Sequence, residues 1–274
     1  MSVVFARERV RHPLHRRTLQ VSASSRIFPS LTRITLRGEE LAGFTAPGPA
    51  DHIKVFFPDP VTGVTAVPQF TSEGIHPPAS GTVIARDYTP LEFRADGPHG
   101  PELDIDFVLH GDDGPASAWA ARATPGDSLT IAGPRGSHLP PPNIEHLIVV
   151  ADETALPAAK RWLSFAGDNI PVTALLSVSD PEATSYLDSD APHSLRWFFG
   201  DDRSTQVEIA LRELTVTDRT FVFLAGEATA LIPLRRHLRR DLGLSASQVD
   251  ASGYWKRGEA NLDHHAPLDP SDPD

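Results

Sequence analysis

Residues 106–136, DFVLHGDDGPASAWAARATPGDSLTIAGPRG, decide how this chain reads. An apolar strand ends in the turn His110-Gly111, and Gly114-Pro115-Ala116-Ser117 opens a helix. The turn Pro125-Gly126-Asp127 then leads into a second strand. A helix that begins at proline with small residues in its first turn leaves several backbone N–H groups unpaired and open. Those groups, with the helix dipole behind them, suit a phosphate or pyrophosphate. On its own the pattern is more often that of an ordinary helix start, so its neighbours have to decide.

Upstream, short segments rich in β-branched and aromatic residues are bounded by Pro and Gly: 18–27, 31–37, 52–57, 82–88, 91–95 and 103–109, with 128–132 closing the series. Strands at this spacing, interrupted by one helix over 115–123, predict a small N-terminal antiparallel β-barrel. Residues 57–81 read as a loop containing Pro, Thr and Gly. Pro140-Pro141-Pro142 is a stiff linker, which puts the first domain at 1–142. Beyond it the pattern alternates: strands over 145–151, 172–178 and 221–225, and helices over 154–166 and 205–214. That alternation predicts a C-terminal α/β domain with a parallel sheet over 143–258. In a last helix Leu231, Leu234, Leu238 and Leu242 share one face and Arg235, Arg236, Arg239 and Arg240 the other, read as solvated. Pro233 is expected near its start. Residues 259–274, acidic and Pro-rich, read as a disordered tail.

Composition excludes several classes of function. The 274 residues include 25 basic and 36 acidic ones, a formal charge of −11, and no basic run is interleaved with aromatics, so a nucleic-acid partner is not expected. Without cysteine there is no disulfide framework, thiolate metal site, Fe–S cluster or cysteine nucleophile. The 12 histidines are scattered without HExxH, and G-x-S-x-G is absent, so metal and serine hydrolysis are not expected either. Apolar runs are too short to span a bilayer. The basic N-terminus lacks the apolar core of a signal peptide and reads as a solvated arm, so the expectation is a cytoplasmic protein.

Parallel sheets bind ligands at the carboxyl ends of their strands. Two such ends are Ala151-Asp152-Glu153-Thr154-Ala155, with Thr154 placed as a helix cap, and Ala225-Gly226-Glu227, where glycine lets a ligand approach the backbone. Neither is a GxGxxG fingerprint, and periodicity alone leaves a nucleotide site open.

Five blocks in order carry a resemblance: ARDYT at 85–89, DFVLHG…GPASAWA at 106–120, ADETALPA at 151–158, AGEATAL…LRRHLRRDLGL at 225–244 and SGYWKRG at 252–258. Together they resemble the siderophore-interacting proteins, FAD-dependent ferric-siderophore reductases related to ferredoxin–NADP reductase. The resemblance covers roughly residues 15 to 258. It implies FAD in the barrel, held by Arg86, Tyr88 and Thr89, with Asp106, Val108 and His110 on the flavin- and adenine-contacting strand and Ala116 and Ser117 at the pyrophosphate turn. Trp255 is implied as a shield for the cofactor. In the second domain Asp152, Glu153, Thr154, Ala155, Gly226 and Glu227 resemble the turns that face the nicotinamide of NAD(P)H. Arg203 is the candidate for a 2′-phosphate, and the choice between NADH and NADPH stays open. Lys54, Arg135 and Lys256, with Arg257 the alternate for Lys256, resemble a basic pocket for an anionic ferric siderophore. The chain departs from the family pattern at Leu91, where a second arginine is usual, and Arg94 is the candidate replacement.

The implied function is electron transfer from NAD(P)H through flavin to Fe(III)-siderophore, releasing Fe(II), by a monomer with no catalytic acid, base or nucleophile and no resident metal. Two alternatives remain at this point: a general NAD(P)H-dependent flavin or ferric reductase, and a flavin-free siderophore-binding protein.

Overall fold

The computed structural model describes residues 5–71, 74–98, 100–111, 114–187, 193–263 and 266–272. Residues 1–4 of the basic arm, 72–73 of the loop, 112–113 of the helix-opening turn, and 264–265 and 273–274 of the tail lie outside the described residues. Two compact units emerge, Arg9–Leu139 and Pro140–Asp274 together with Met1–Glu8. The division falls ahead of the three prolines rather than after them.

In the first unit the elements run β1 (Arg9–Arg11), β2 (Arg16–Phe28), β3 (Leu31–Arg37), β4 (Ile53–Phe57), β5 (Gln69–Thr71), β6 (Gly74–His76), β7 (Ile84–Tyr88), β8 (Pro90–Gly97), β9 (Gly100–Val108), α1 (Pro115–Arg122), β10 (Ser128–Ala132) and β11 (Gly136–His138). Seven of these strands form one antiparallel sheet in the order β7-β4-β10-β2-β3-β9-β8. Its two edge strands, β7 and β8, are separated in the chain only by Thr89. The sheet therefore has to curl until its edges meet at that residue, which makes it the expected barrel. Alternation along the strands sends Leu19, Val21, Ile34, Leu36, Ile53, Val55, Phe57, Leu103, Ile105, Phe107, Leu129 and Ile131 inward. Helix α1 and the residue that ends it cover them with Ala116, Ala120 and Ala123, small residues that let the backbone lie close.

Glu102, Asp104 and Asp106 alternate with the core residues of β9 and are nonetheless buried. Arg33 donates to Asp106 through Nε and Nη2 at 2.7 and 2.8 Å. Arg94 donates to Asp104 at 2.7 and 3.0 Å, and Thr35 Oγ1 donates to the same carboxylate at 2.7 Å. Buried carboxylates require such partners, and Arg94 is committed to supplying them rather than to a phosphate.

The second unit runs β12 (His146–Asp152), α2 (Leu156–Ala166), β13 (Val172–Ser177), β14 (Ser194–Phe198), α3 (Arg203–Arg212), β15 (Thr220–Glu227), α4 (Ala228–Arg236) and β16 (Val249–Trp255). Its five strands are all parallel, in the order β14-β13-β12-β15-β16. The chain leaves β12 first toward β13 and returns to its other side with β15, so the switch point lies between the carboxyl ends of β12 and β15.

Five expectations change. Pro233 lies inside α4 rather than at its start, and the helix passes into a π turn over His237–Asp241. Leu231, Leu234 and Leu238 are buried as expected, whereas Leu242 is exposed. The arginine row is not simply solvated, nor are the described tail residues loose. Arg235 is buried and donates Nη1 to the Asp272 carbonyl at 2.9 Å, Arg236 pairs with Asp269, Arg240 pairs with Asp272, and Leu268 packs on the core. The described residues Phe5 and Arg7 of the arm are anchored too. Phe5 is buried with its ring 6.2 Å from Phe221, and Arg7 pairs with Asp250.

Candidate functional site

Three separated stretches converge where the barrel closes. β7 delivers Arg86, Tyr88 and the buried Thr89 to the meeting edge. The Tyr88 ring packs 4.4 Å from Phe107, in a cluster completed by Phe57 and Trp119. Burial pushes the Tyr88 phenol well above its ordinary range, against the pull of Arg86, so the hydroxyl stays protonated and available as a donor. Arg86 Nη1 donates to the Ala85 carbonyl at 2.7 Å, which folds the guanidinium back along β7.

The second stretch is the end of β9. Its ladder with β8 starts at Pro90 opposite Ile105, so residues 106–108 have a strand only on the β3 side. Main-chain groups along this open edge can be shared with a ligand. The Asp106 side chain cannot, because Arg33 holds both of its oxygens. The value of Asp106 and Val108 here is their backbone.

The third stretch is the start of α1. Gly114 provides no side-chain cap, and Pro115 occupies the first turn. Ser117 Oγ accepts from the His110 N–H at 3.0 Å and donates to the Gly111 carbonyl at 2.8 Å. Ser117 therefore ties the strand end to the helix start, and its hydroxyl is committed there. The His110 ring lies over Gly114, where a Cβ would come within 2.5 Å of Cε1. Uncapped N–H groups at Ala116 and Ser117, beside an aromatic shelf and an open strand edge, fit a flavin dinucleotide: donors for the pyrophosphate, apolar surface and backbone for the ring.

In the α/β unit a cavity of about 340 Å³ opens at the switch point, lined by Asp152, Glu153, Ser177, Arg203, Gly226, Glu227, Trp255 and Arg257 among others. Asp152 organises it. Its Oδ1 accepts from the Thr154 N–H (2.9 Å) and Oγ1 (2.6 Å), and its Oδ2 from the Glu227 N–H (2.9 Å) and Trp255 Nε1 (2.7 Å). Asp152, rather than Thr154, is thus the cap. Burial pushes its carboxyl above the usual range, while the bonds from Thr154 and Trp255 pull the other way. Glu227 caps α4 by accepting from the Ala230 N–H at 2.7 Å, and it also accepts from the Arg257 N–H at 3.2 Å. Ala155 is buried beneath this turn. Gly226 has φ +146°, and a Cβ there would lie 2.6 Å from Asp152 Oδ2. This cradle, in which a glycine at 226 leaves the Asp152 carboxylate undisturbed, fits a nicotinamide dinucleotide at the carboxyl ends of the strands. The Asp152–Trp255 bond could not be read from sequence: the partners are a hundred residues apart and tryptophan has no spacing signature.

The three basic residues differ in their surroundings. Lys54 on β4 pairs with Asp87 across the ladder at 2.9 Å, and Lys256 pairs with Glu259 at 3.0 Å. Both pairs are exposed, and such pairs are weak. Arg135 is exposed, and among the described residues no carboxylate pairs with it. Lys54 sits opposite Ala132 in the β4–β10 ladder, so Lys54 and Arg135 share one end of the barrel sheet.

A family model described as the siderophore-interacting FAD-binding domain matches residues 20–138, and the siderophore-interacting protein model matches residues 144–258. The chain belongs to the siderophore-interacting protein family. The barrel unit is its FAD-binding domain. An NADPH-dependent ferric-chelate reductase of Escherichia coli is 37% identical over 90% of this chain and 96% of that protein. The ferric vibriobactin reductase ViuB of Vibrio cholerae is 32% identical over 86% of this chain and 88% of its own. A crystal structure of a siderophore utilization protein from T. fusca covers 95% of this chain and all of its own, with 37% identity and a TM-score of 0.85. Among the described residues no helix is long and apolar enough to cross a membrane.

Proposed function

We propose that this protein is an NAD(P)H-dependent, FAD-containing reductase of ferric siderophores, working as a monomer in the cytoplasm. The observation that carries the reading is the pair of cradles, one at the barrel closure and one at the α/β switch point, each built from the blocks that mark the family. The names of the E. coli and V. cholerae relatives support the ferric substrate, and the former supports NADPH as donor. Bound FAD takes two electrons as hydride and can release them singly, which is what ferric iron needs. Hard oxygen donors hold Fe(III) far more tightly than Fe(II), so reduction frees the metal from its chelator.

The residues then have distinct tasks. Arg86 neutralises phosphate charge, Tyr88 and Thr89 offer a ring and hydroxyls to the flavin, and Val108 and His110 extend the strand edge beneath it. Ala116 and Ser117 give N–H groups to the pyrophosphate. Asp152, Glu153, Thr154 and Ala155 with Gly226 and Glu227 seat the nicotinamide, and Trp255 is held beside them by Asp152. Arg203 and Arg257, on the wall of the same cavity, suit a 2′-phosphate. Lys54, Arg135 and Lys256 attract the anionic ferric complex. No side chain has to move a proton for the electron transfer.

The test is spectroscopic. The purified protein is expected to be yellow, to be bleached by NADPH under anaerobic conditions, and to regain its colour on addition of a ferric catecholate or hydroxamate. Reoxidation by free ferric citrate or dioxygen but by no siderophore complex would favour a general flavin reductase. Absence of flavin after reconstitution with FAD would favour a binding protein.

A further inference from the structure

The small ribbon of β1 and β11 stands apart from the seven-stranded sheet. Two-stranded ribbons are marginal alone, and this one is not held by apolar burial. The residue it sinks completely is Ser137, in register with Val10. Ser137 Oγ donates to Asp51 Oδ2 at 2.5 Å, and that oxygen also accepts from the Gly48 N–H at 2.9 Å. Asp51 is itself buried, and a Cβ on Gly48 would collide with its carboxylate. Since Ser137 spends its proton on Asp51, its lone pair faces His12 Nε2 at 2.7 Å, and the imidazole is the donor. The same histidine donates its backbone N–H to the Arg135 carbonyl at 3.0 Å. One step back, the Gly133 N–H donates to the His15 carbonyl at 3.1 Å, and Arg17 Nη1 donates to the Gly133 carbonyl at 3.2 Å.

The effect is to fix the backbone on both sides of one exposed side chain, Arg135. Apolar anchoring tolerates small slips, whereas a chain of directional bonds ending on a buried carboxylate specifies register. Burying Asp51 is costly unless its bonds are made, so the network's geometry is held tightly. We propose that Asp51, Ser137 and His12 are positioning residues that hold Arg135 for an anionic ferric chelate. This rests on the reading of Arg135 as a substrate contact. A long cationic side chain on a fixed backbone loses less freedom when it grips a ligand, which is how preorganisation raises affinity.

The experiment is a double-mutant cycle on the FAD-loaded protein, read by fluorescence titration with the anionic ferric complex of a tris-catechol. Ser137→Ala and His12→Phe are each expected to weaken binding about fivefold and to flatten its salt dependence. In an Arg135→Ala background the same changes are expected to cost less than about twofold, because the positioned group is gone. His12→Gln, whose amide can still donate to Ser137, is expected to restore most of the affinity. His12 is half-buried just beyond β1, so its variants are the safer pair should Ser137→Ala fold poorly. If the losses persist in full in the Arg135→Ala background, the network is merely structural and the inference is wrong. Parental affinity in both Ser137→Ala and His12→Phe, with Arg135→Ala weakened, overturns it as well. Parental affinity in Arg135→Ala itself overturns the substrate reading of Arg135, and the positioning role with it.

Discussion

Gly226→Ala is the sharpest perturbation of the nicotinamide cradle, because one added carbon acts on both backbone and site. The residue sits at φ +146°, which an alanine adopts only with strain of about 1–3 kcal/mol. Its Cβ would also lie 2.6 Å from Asp152 Oδ2, so the carboxylate must retreat by about 1 Å to reach an ordinary contact. That oxygen accepts from Trp255 Nε1 and the Glu227 N–H, and losing either bond to a buried carboxylate costs about 1.5–3 kcal/mol. Together the terms come to about 2.5–6 kcal/mol, a fall in melting temperature of roughly 10 °C or more for a unit of this size. Scanning calorimetry measures that fall, and near-ultraviolet circular dichroism reports the release of Trp255. Stopped-flow reduction of the flavin by NADPH is expected to slow at least about tenfold, equivalent to about 1.4 kcal/mol in barrier. Reduction by dithionite, which needs no nicotinamide seat, is the control and is expected at the parental rate. A variant that melts within about 2 °C of the parent and accepts hydride at the parental rate would refute the reasoning.

Arg86→Ala is expected to purify with little flavin, and acid precipitation of the parent to release all of its flavin as FAD; recovery of FMN, or full colour in the variant, would contradict the cradle at Tyr88 and Thr89. Asp104 lies below the ordinary carboxylate range: burial opposes this, but the hydrogen bonds from Arg94 and Thr35 outweigh it. With the folded value below the unfolded one of about 3.9, its contribution is complete above that pH and is lost as pH falls through the folded value. Acid unfolding of the barrel is therefore expected to set in below about pH 4, with a flatter profile in Asp104→Asn, measured by calorimetry across the acid range. Truncation after residue 263 removes the partners of the buried Arg235 and is expected to lower the melting temperature of the α/β unit; an unchanged melt would mean that the tail contacts carry no stability.

The barrel and the parallel sheet were legible because each follows a simple period. Leu19, Val21, Ile34 and Leu36 alternate on one face, while Leu147 to Val150 form a continuous run buried on both faces. The edge strands β14 and β16 escaped notice because they are only half-buried and carry mixed residues such as Ser194, Arg196, Asp250 and Ser252. Pro233 breaks the local rule: a nine-residue helix carries it in its interior although the proline has no N–H to give. At the flavin cradle the sequence gives the stretches but not their tasks. Asp106 looks like a ligand group until Arg33, seventy-three residues away, takes both its oxygens. Ser117 looks like a phosphate donor until its hydroxyl is found on His110 and Gly111. Side-chain partners across a sheet follow from register, which no local pattern encodes.

Charge shows the same point from the other side. A chain with 36 acidic and 25 basic residues attracts an anion only through a local positive site built against its own field. Counting arginines in sequence points to the end of α4 and the π turn after it, where four lie within six positions, yet the fold gives Arg235, Arg236 and Arg240 to the tail aspartates and turns Arg239 onto the Leu244 carbonyl. Arg33 and Arg94 are consumed by the acidic row of β9, and Lys54 and Lys256 each carry a carboxylate of their own. An incoming chelate has to displace Asp87 from Lys54 before it gains that charge, which discounts the contact by whatever the exposed pair is worth, about 0–1 kcal/mol. Arg135 carries no such discount. Its head group meets no carboxylate among the described residues, while its backbone is tied down by Ser137, His12 and the buried Asp51. Arg11, Arg16 and Arg37 also lie on strands without a carboxylate partner among the described residues, so what supports our reading of Arg135 is the buried network beneath its backbone together with its place beside Lys54 at one end of the sheet.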